Sequence, residues 1–257
     1  MKSINCMLPE SLEQAKIHFI SDLHIGDAHC DDIGIKARLD AIKADPEAFI
    51  ILGGDLMDTA TRNSIGDTYT QTLSPMRQIE YSVKLFEPLK DKIIAMIPGN
   101  HEERVYRVDG IDTTAIVAAE LGLTEKYSET TAILFIHLGK RQRGRQGPVC
   151  YTVYITHGSG GGRKAGGKIN RLIDYCQIAD TDAYIVGHVH SPAVLRASFF
   201  RPDPYHNKVT QVEKIFINTA ASLDFGGYAD RQGYSPASKI SPVLYLSGTE
   251  KRCWTVL

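Results

Sequence analysis

Five short apolar runs in this chain of 257 residues each break off at a side chain able to hold a cation, and no other feature limits its fold so tightly. His18-Phe19-Ile20-Ser21 runs into Asp22-Leu23-His24, and Ile50-Ile51-Leu52-Gly53-Gly54 into Asp55. Ile93 to Ile97 leads to Asn100 and His101, Val153 to Thr156 to His157, and Tyr184 to Gly187 to His188-Val189-His190. Runs this short and this rich in Ile and Val read as strands buried on both faces of a sheet. Helical patterns over Gly34 to Lys43, Arg77 to Leu89 and Asp112 to Leu121 separate the early strands, the last opening on an Asp-Thr-Thr cap. The first half is therefore α/β. Further strands are expected at Ile133 to Leu138 and Ile215 to Ile217, and in a β-rich tail at Val194 to Phe200, Val209 to Val212, Val243 to Leu246 and Trp254 to Val256.

An apolar content of 43% fills a sizeable core, and no repeat or linker divides the chain, so residues 1–257 are expected to form one domain. The net charge of -1 gives no overall pull toward nucleic acid or membrane. Five widely spaced cysteines (Cys6, Cys30, Cys150, Cys176, Cys253) suggest neither a disulfide framework nor a zinc knuckle, and imply reduced thiols. Glu10, Glu13 and Gln14 precede any apolar run, unlike a signal peptide, and no stretch approaches the ~20 apolar residues of a membrane span. A cytoplasmic protein is expected.

Ligands in open α/β sheets gather at the carboxyl edge of the strands, which is where these polar groups fall. Asp22 and His24 lie two positions apart, on one side of the chain while it stays extended. Gly53 and Gly54 let the backbone pass close to an ion, and the Asp55 carboxylate has two oxygens with which to bridge two cations. Asp58 reads as a residue that orients a ligand or starts a helix. Asn100 offers a neutral carbonyl oxygen, His101 can face substrate, and the pair His188 and His190 can point into one pocket. Carboxylates, one amide and several imidazoles suit two divalent ions, manganese first, with iron, zinc or nickel as alternatives. Such a pair, ~3.5 to 4 Å apart, clamps a phosphoryl group and acidifies a bound water.

In order along residues 17–190 stand Asp22-Leu23-His24, Gly54-Asp55-Leu56-Met57-Asp58, Gly99-Asn100-His101-Glu102, His157-Gly158 and Gly187-His188-Val189-His190. Together they resemble the signature of the calcineurin-like metallophosphoesterases. The resemblance implies an α/β fold, a four-layer αββα sandwich of two mixed β-sheets flanked by helices. It implies one metal held by Asp22, His24, Asp55 and His190, and a second by Asp55, Asn100, His157 and His188. By the same resemblance His101 would assist the leaving oxygen while a hydroxide bridging the metals attacks in line. Many relatives close the site with Asn-Pro-Gly-Ser, whereas this chain has Asn218-Thr219-Ala220-Ala221-Ser222, a departure on the substrate-side wall.

Eight of the 29 basic residues fall between Gly139 and Arg171 (Lys140, Arg141, Arg143, Arg145, Arg163, Lys164, Lys168, Arg171), where there is no acidic residue. Glycines and cations interleave from Gly158 to Lys168, directly after His157, and read as a flexible basic flap for a polyanion such as a nucleic acid or nucleotide. A solvated loop is the plainer reading of the same charges. The expected activity is a phosphodiesterase. A phosphomonoesterase is the alternative, and a non-catalytic metal-binding scaffold the third reading. Nothing in the pattern compels an oligomer.

Overall fold

A computed structural model describes residues 1–61, 64, 68–140, 147–161 and 164–256. In chain order it has β1 (Lys2–Met7), β2 (Gln14–Ile20), α1 (Asp32–Ala44), β3 (Ala48–Leu52), α2 (Pro75–Phe86), β4 (Ile93–Met96), α3 (Asn100–Asp109) and α4 (Thr113–Glu120). There follow β5 (Ala132–Leu138), β6 (Val149–Thr156), α5 (Ala165–Asp174), β7 (Ala183–Val186), β8 (Ala193–Asp203), β9 (Lys208–Asn218), α6 (Gly227–Arg231), β10 (Val243–Ser247) and β11 (Cys253–Val256). Six strands form one sheet in the order β1-β5-β6-β7-β9-β8, and five form the other in the order β11-β10-β2-β3-β4. Both sheets are mixed: β2, β3 and β4 run parallel, as do β6, β7 and β9, while β10 and β8 run antiparallel to their neighbours.

The period-two alternation of the strands sorts side chains into layers. Ile17 and Phe19 of β2 and Ile51 of β3 meet Ile136, Tyr151, Val153, Ile185 and Ile217 of the other sheet in a core between the two sheets. Ile20, Ile50 and Leu52 face the other way, beneath Ile35 and Leu39 of α1, Ile79 and Phe86 of α2 and Val117 of α4. Tyr154, Tyr184 and Phe216 of the six-stranded sheet pack against Leu172 of α5. The layers therefore run helix, sheet, sheet, helix, the arrangement expected from the resemblance.

Helix ends follow their sequence signals. The Asp31 side chain accepts from Gly34 N at 3.0 Å to cap α1, and Asp112 Oδ1 accepts from Ala115 N at 2.8 Å to cap α4.

Four elements depart from the sequence expectation. β1 lies ahead of the first expected strand, burying Ile4 and Cys6 alternately behind polar neighbours. Of Pro98 to Glu102, read as a sharp turn, Asn100 to Glu102 form the first turn of α3. The expected strands at 209–212 and 215–217 are one strand, β9, paired along its full length with β8. The glycine-rich stretch after His157, read as a flap, ends in α5 despite Gly166 and Gly167. No helix among the described residues is long and apolar enough to cross a membrane.

Candidate metal centre

Parallel pairing of β2, β3 and β4, and of β6 and β7, sends five strand ends to one side of the molecule. Beyond those ends the chains stay tied: Asp22 N donates to Gly54 O at 3.0 Å and His24 N to Asp55 O at 3.0 Å. Gly54 has φ +85°, and a Cβ there would sit 2.4 Å from Gly99 N, so only glycine allows the Asp55 and Asn100 loops to pass.

Asp22 and His24 reach one pocket by a different route from the extended chain expected. Both have left-handed backbone, φ 54° and 49°, and so do Asp55 (48°), His188 (67°) and His190 (49°). Non-glycine residues adopt this conformation at a cost of order 1–3 kcal/mol each and cluster at functional sites. Left-handed turns turn each side chain inward at the point where the strand ends.

The candidate ligands converge in two groups, and His24 also groups with Asp58 and His101. Ligand atoms of Asp22, His24 and His190 lie within 4.8 Å of one another, and so do those of Asp55, His157 and His188. In the first group His190 Nε2 is 3.1 Å from Asp22 Oδ1 and 3.3 Å from His24 Nε2. In the second, His157 Nε2 is 3.0 Å from Asp55 Oδ2 and 3.1 Å from Asn100 Oδ1, which is 2.7 Å from His188 Nδ1. Asp55 groups with the second set. His101 stands beside both, with Nε2 3.9 Å from Asp55 Oδ2 and its ring 4.4 Å from that of His24.

The donor set fits divalent cations. His157 Nδ1 lies 2.8 Å from Gly53 O, so its N–H donates there and Nε2 is the atom that faces Asp55 and Asn100. His24 Nδ1 turns to Asp58 Oδ1 at 3.3 Å, leaving Nε2 to face His190. Imidazole lone pairs and buried carboxylate oxygens aimed at a common point repel unless a proton or a metal ion lies between them.

The buried charges of the site shift one another strongly. Burial alone would push the Asp22 carboxyl up, but His190 beside it holds it at about 2. Burial would likewise raise Asp55, and His157 and His101 hold it well below the usual range. The histidines split. Against burial, which lowers them, Asp55 raises His157 to about 10, and Asp55 with Asp58 raises His101 to about 9. Burial and a neighbouring imidazole, His101 for His24 and His157 for His188, lower the other two.

Behind the candidates stand supporting residues, of which sequence reasoning gave a part only to Asp58. Glu102, 1% exposed, accepts from Asp55 N and Gly99 N at 2.9 Å and from Met57 N at 3.0 Å, pinning the β3 and β4 loops together. An acid three residues after the glycine that starts a helix is the signal that could have found it. Ser21 Oγ donates to Asp22 Oδ2 at 2.5 Å, and His188 N donates to both Asp22 oxygens at 3.0 and 3.1 Å. Asp58 lies between His24 and His101, 2.9 Å from His101 Nδ1, and accepts from Gln71 Nε2 at 2.7 Å.

The segment read as the substrate-side wall buttresses Asp22. Thr219 Oγ1 lies 2.9 Å from Ser21 Oγ, and Ser222 N donates to Asp22 O at 2.9 Å.

The basic stretch also differs from a free flap. Arg141, Arg143, Arg145 and Arg163 lie outside the described residues. Lys168 donates to Val189 O at 2.9 Å and Ser191 Oγ at 2.7 Å, either side of His190, and Arg171 donates to Ser159 O just past His157. Two of the cations are thus spent on the candidate ligand loops. Lys140 and Lys164 are exposed.

The sequence model of the family described as calcineurin-like phosphoesterase matches residues 15–192, a span holding all seven candidate ligands and His101. No curated protein matches. Similar solved structures include wild-type Vps29 complexed with zinc from Entamoeba histolytica, 12% identical, covering 94% of this chain and 98% of that one, with a TM-score of 0.41. Another is a conserved uncharacterized protein, a predicted phosphoesterase, from Streptococcus pneumoniae TIGR4, 12% identical over 96% of this chain and 100% of that one, TM-score 0.35.

Proposed function

We infer that this chain, which belongs to the calcineurin-like phosphoesterase family and so is a metal-dependent phosphoesterase, acts as a single two-metal domain that cleaves phosphodiesters of a nucleic acid or nucleotide. The observation that carries the two-metal reading is the convergence of two ligand groups, Asp22, His24 and His190 beside Asp55, His157 and His188, with the Asn100 oxygen adjoining the second. Asp55 is the proposed bridge between them. Bound divalent ions, manganese first, would neutralise phosphoryl charge and bring a water into its working pKa range.

The chain's own residues do the rest. Asp58 fixes His101 through Nδ1, so that Nε2 holds a proton beside Asp55 for the departing oxygen. Gly53 O fixes the tautomer of His157, and Glu102 fixes the loop that carries Asp55. The diester preference rests on charge: besides Lys168 and Arg171, which hold ligand loops, the stretch from Gly139 to Arg171 carries six further cations and no acid, which suits a polyanion that engages many cations weakly rather than one tightly.

Turnover of manganese-loaded protein on bis-p-nitrophenyl phosphate, compared with p-nitrophenyl phosphate, tests the reading. A higher kcat/KM on the diester is expected. Preference for the monoester would make it a phosphatase, and silence on both would leave a metal-binding scaffold.

A further inference from the structure

On the helix side of the five-stranded sheet, apart from the strand ends, lies a second cavity of about 370 Å³. That is within the size range of small-molecule sites. Its polar floor is His18 of β2 and Arg38 of α1, and its walls are Ala41, Ile42, Ile240 and Val243 with Ser241, whose Oγ already accepts from Ala220 N. None of these is a candidate metal ligand.

Arg38 is the anomaly. Its Nη2 donates to Phe19 O at 3.2 Å, and among the described residues no carboxylate pairs with it. Burial alone acts on its pKa, lowering it to about 10. The charges at the rim are already committed. Asp45, which also lines the cavity, pairs with Lys16 at 2.8 Å and accepts from Glu47 N at 2.9 Å; Lys239 pairs with Asp31 at 2.6 Å and Asp224 at 2.5 Å. The Arg38 guanidinium is half-buried without a counter-ion, and its planar fork of donors matches a carboxylate. His18, held neutral by burial, keeps an N–H to give beside it.

We propose that this cavity binds a small monocarboxylate with a short apolar body, its carboxylate on the Arg38 guanidinium beside His18 and its body against Ala41, Ile42, Ile240 and Val243. Apolar side chains around that anchor favour such a ligand over inorganic phosphate or a sugar phosphate, whose remaining polar groups would find no partner on those walls.

Hexanoate titrated calorimetrically into the metal-stripped full chain in EDTA tests the proposal, because the metal centre then cannot take the carboxylate. Saturable one-to-one binding with a Kd below about 1 mM is expected. Arg38→Met should weaken it at least about tenfold, and 1-hexanol should bind the wild type at least about tenfold less tightly, since a charge-assisted pair is lost in each case. Ala41→Trp, at an exposed helix position on the cavity wall, should abolish binding without touching Arg38. If Arg38→Met does not fold, Ala41→Trp decides the question. Absence of saturable binding to the wild type, or hexanoate affinity unchanged by these substitutions, would overturn the proposal.

Discussion

Glu102 holds the two loops that present Asp55 and Asn100, and replacing it by Gln isolates that contribution. Oε2 accepts from Asp55 N and Gly99 N, and Oε1 accepts from Met57 N. A glutamine has one oxygen. Placed at Oε2 it keeps two bonds without their charge assistance and sets its NH2 against Met57 N–H. Losing charge assistance twice costs about 1 kcal/mol each, and one stranded buried N–H costs about 1–3 kcal/mol. Against this, Gln removes a buried charge whose pKa is raised by desolvation and by the nearby Asp55. The net destabilisation is then about 2 kcal/mol. In a chain of this size that lowers Tm by about 4–8 °C. Thermal unfolding followed by circular dichroism in EDTA at pH 8 reads it directly. Because the same bonds aim Asp55, manganese affinity should fall roughly 10- to 100-fold, as for partners behind metal ligands. A Tm within about 1 °C of wild type, together with unchanged metal affinity, would refute the claim that Glu102 positions these loops.

Replacing His101 by Ala should leave metal content intact and slow turnover roughly 10²- to 10⁴-fold if its proton reaches the leaving oxygen; unchanged kcat on the diester would remove that role. Lys168→Met and Arg171→Met should each weaken manganese binding roughly tenfold, since both cations hold loops that carry candidate ligands. A rise in KM with metal affinity untouched would instead make them substrate contacts. His18 is held down at about 4 by burial, with Arg38 adding to it, whereas the unfolded chain titrates near 6.5. The folded state refuses a proton the unfolded state accepts, so this part of stability is intact above pH 6.5 and lost as pH falls toward 4. Partial exposure limits the loss to about 1–2 kcal/mol. Urea denaturation at pH 7.5 and 5 should show His18→Gln losing that much less than wild type, and equal losses would contradict the assignment.

The fold was legible where burial was complete. β3 and β7 are buried at every position, so they stand out as apolar runs. β1 was hidden because half of its residues face solvent, and alternation over a few residues is a weak signal. α3 was masked by its own first turn, where Asn100, His101 and Glu102 are turned to the site rather than to a core. α5 carries two glycines and four apolar residues among ten, too few to announce a helix without the Tyr154 and Tyr184 surface it covers.

At the site, residue types and order showed in the sequence, but not the way they meet. Alternation along a strand was the available argument for Asp22 and His24, yet both turn inward through left-handed backbone that other bonds must support. That support comes from distant segments, such as Ser222 and His188 on Asp22, which no local pattern foretells. Lys168 and Arg171 of the basic stretch misled for a related reason. Charge in a sequence does not say whether a cation faces a ligand or a neighbouring carbonyl, and Lys168 and Arg171 face carbonyls.

Two ions bridged by Asp55 are the centre of this account, and counting them is its most direct test. Protein loaded with manganese, desalted and measured by elemental analysis should carry two ions per chain. Asp55→Asn, whose neutral amide cannot bridge two cations, should carry at most one and lose turnover. One ion in the wild type, or two ions and full activity in Asp55→Asn, would contradict it.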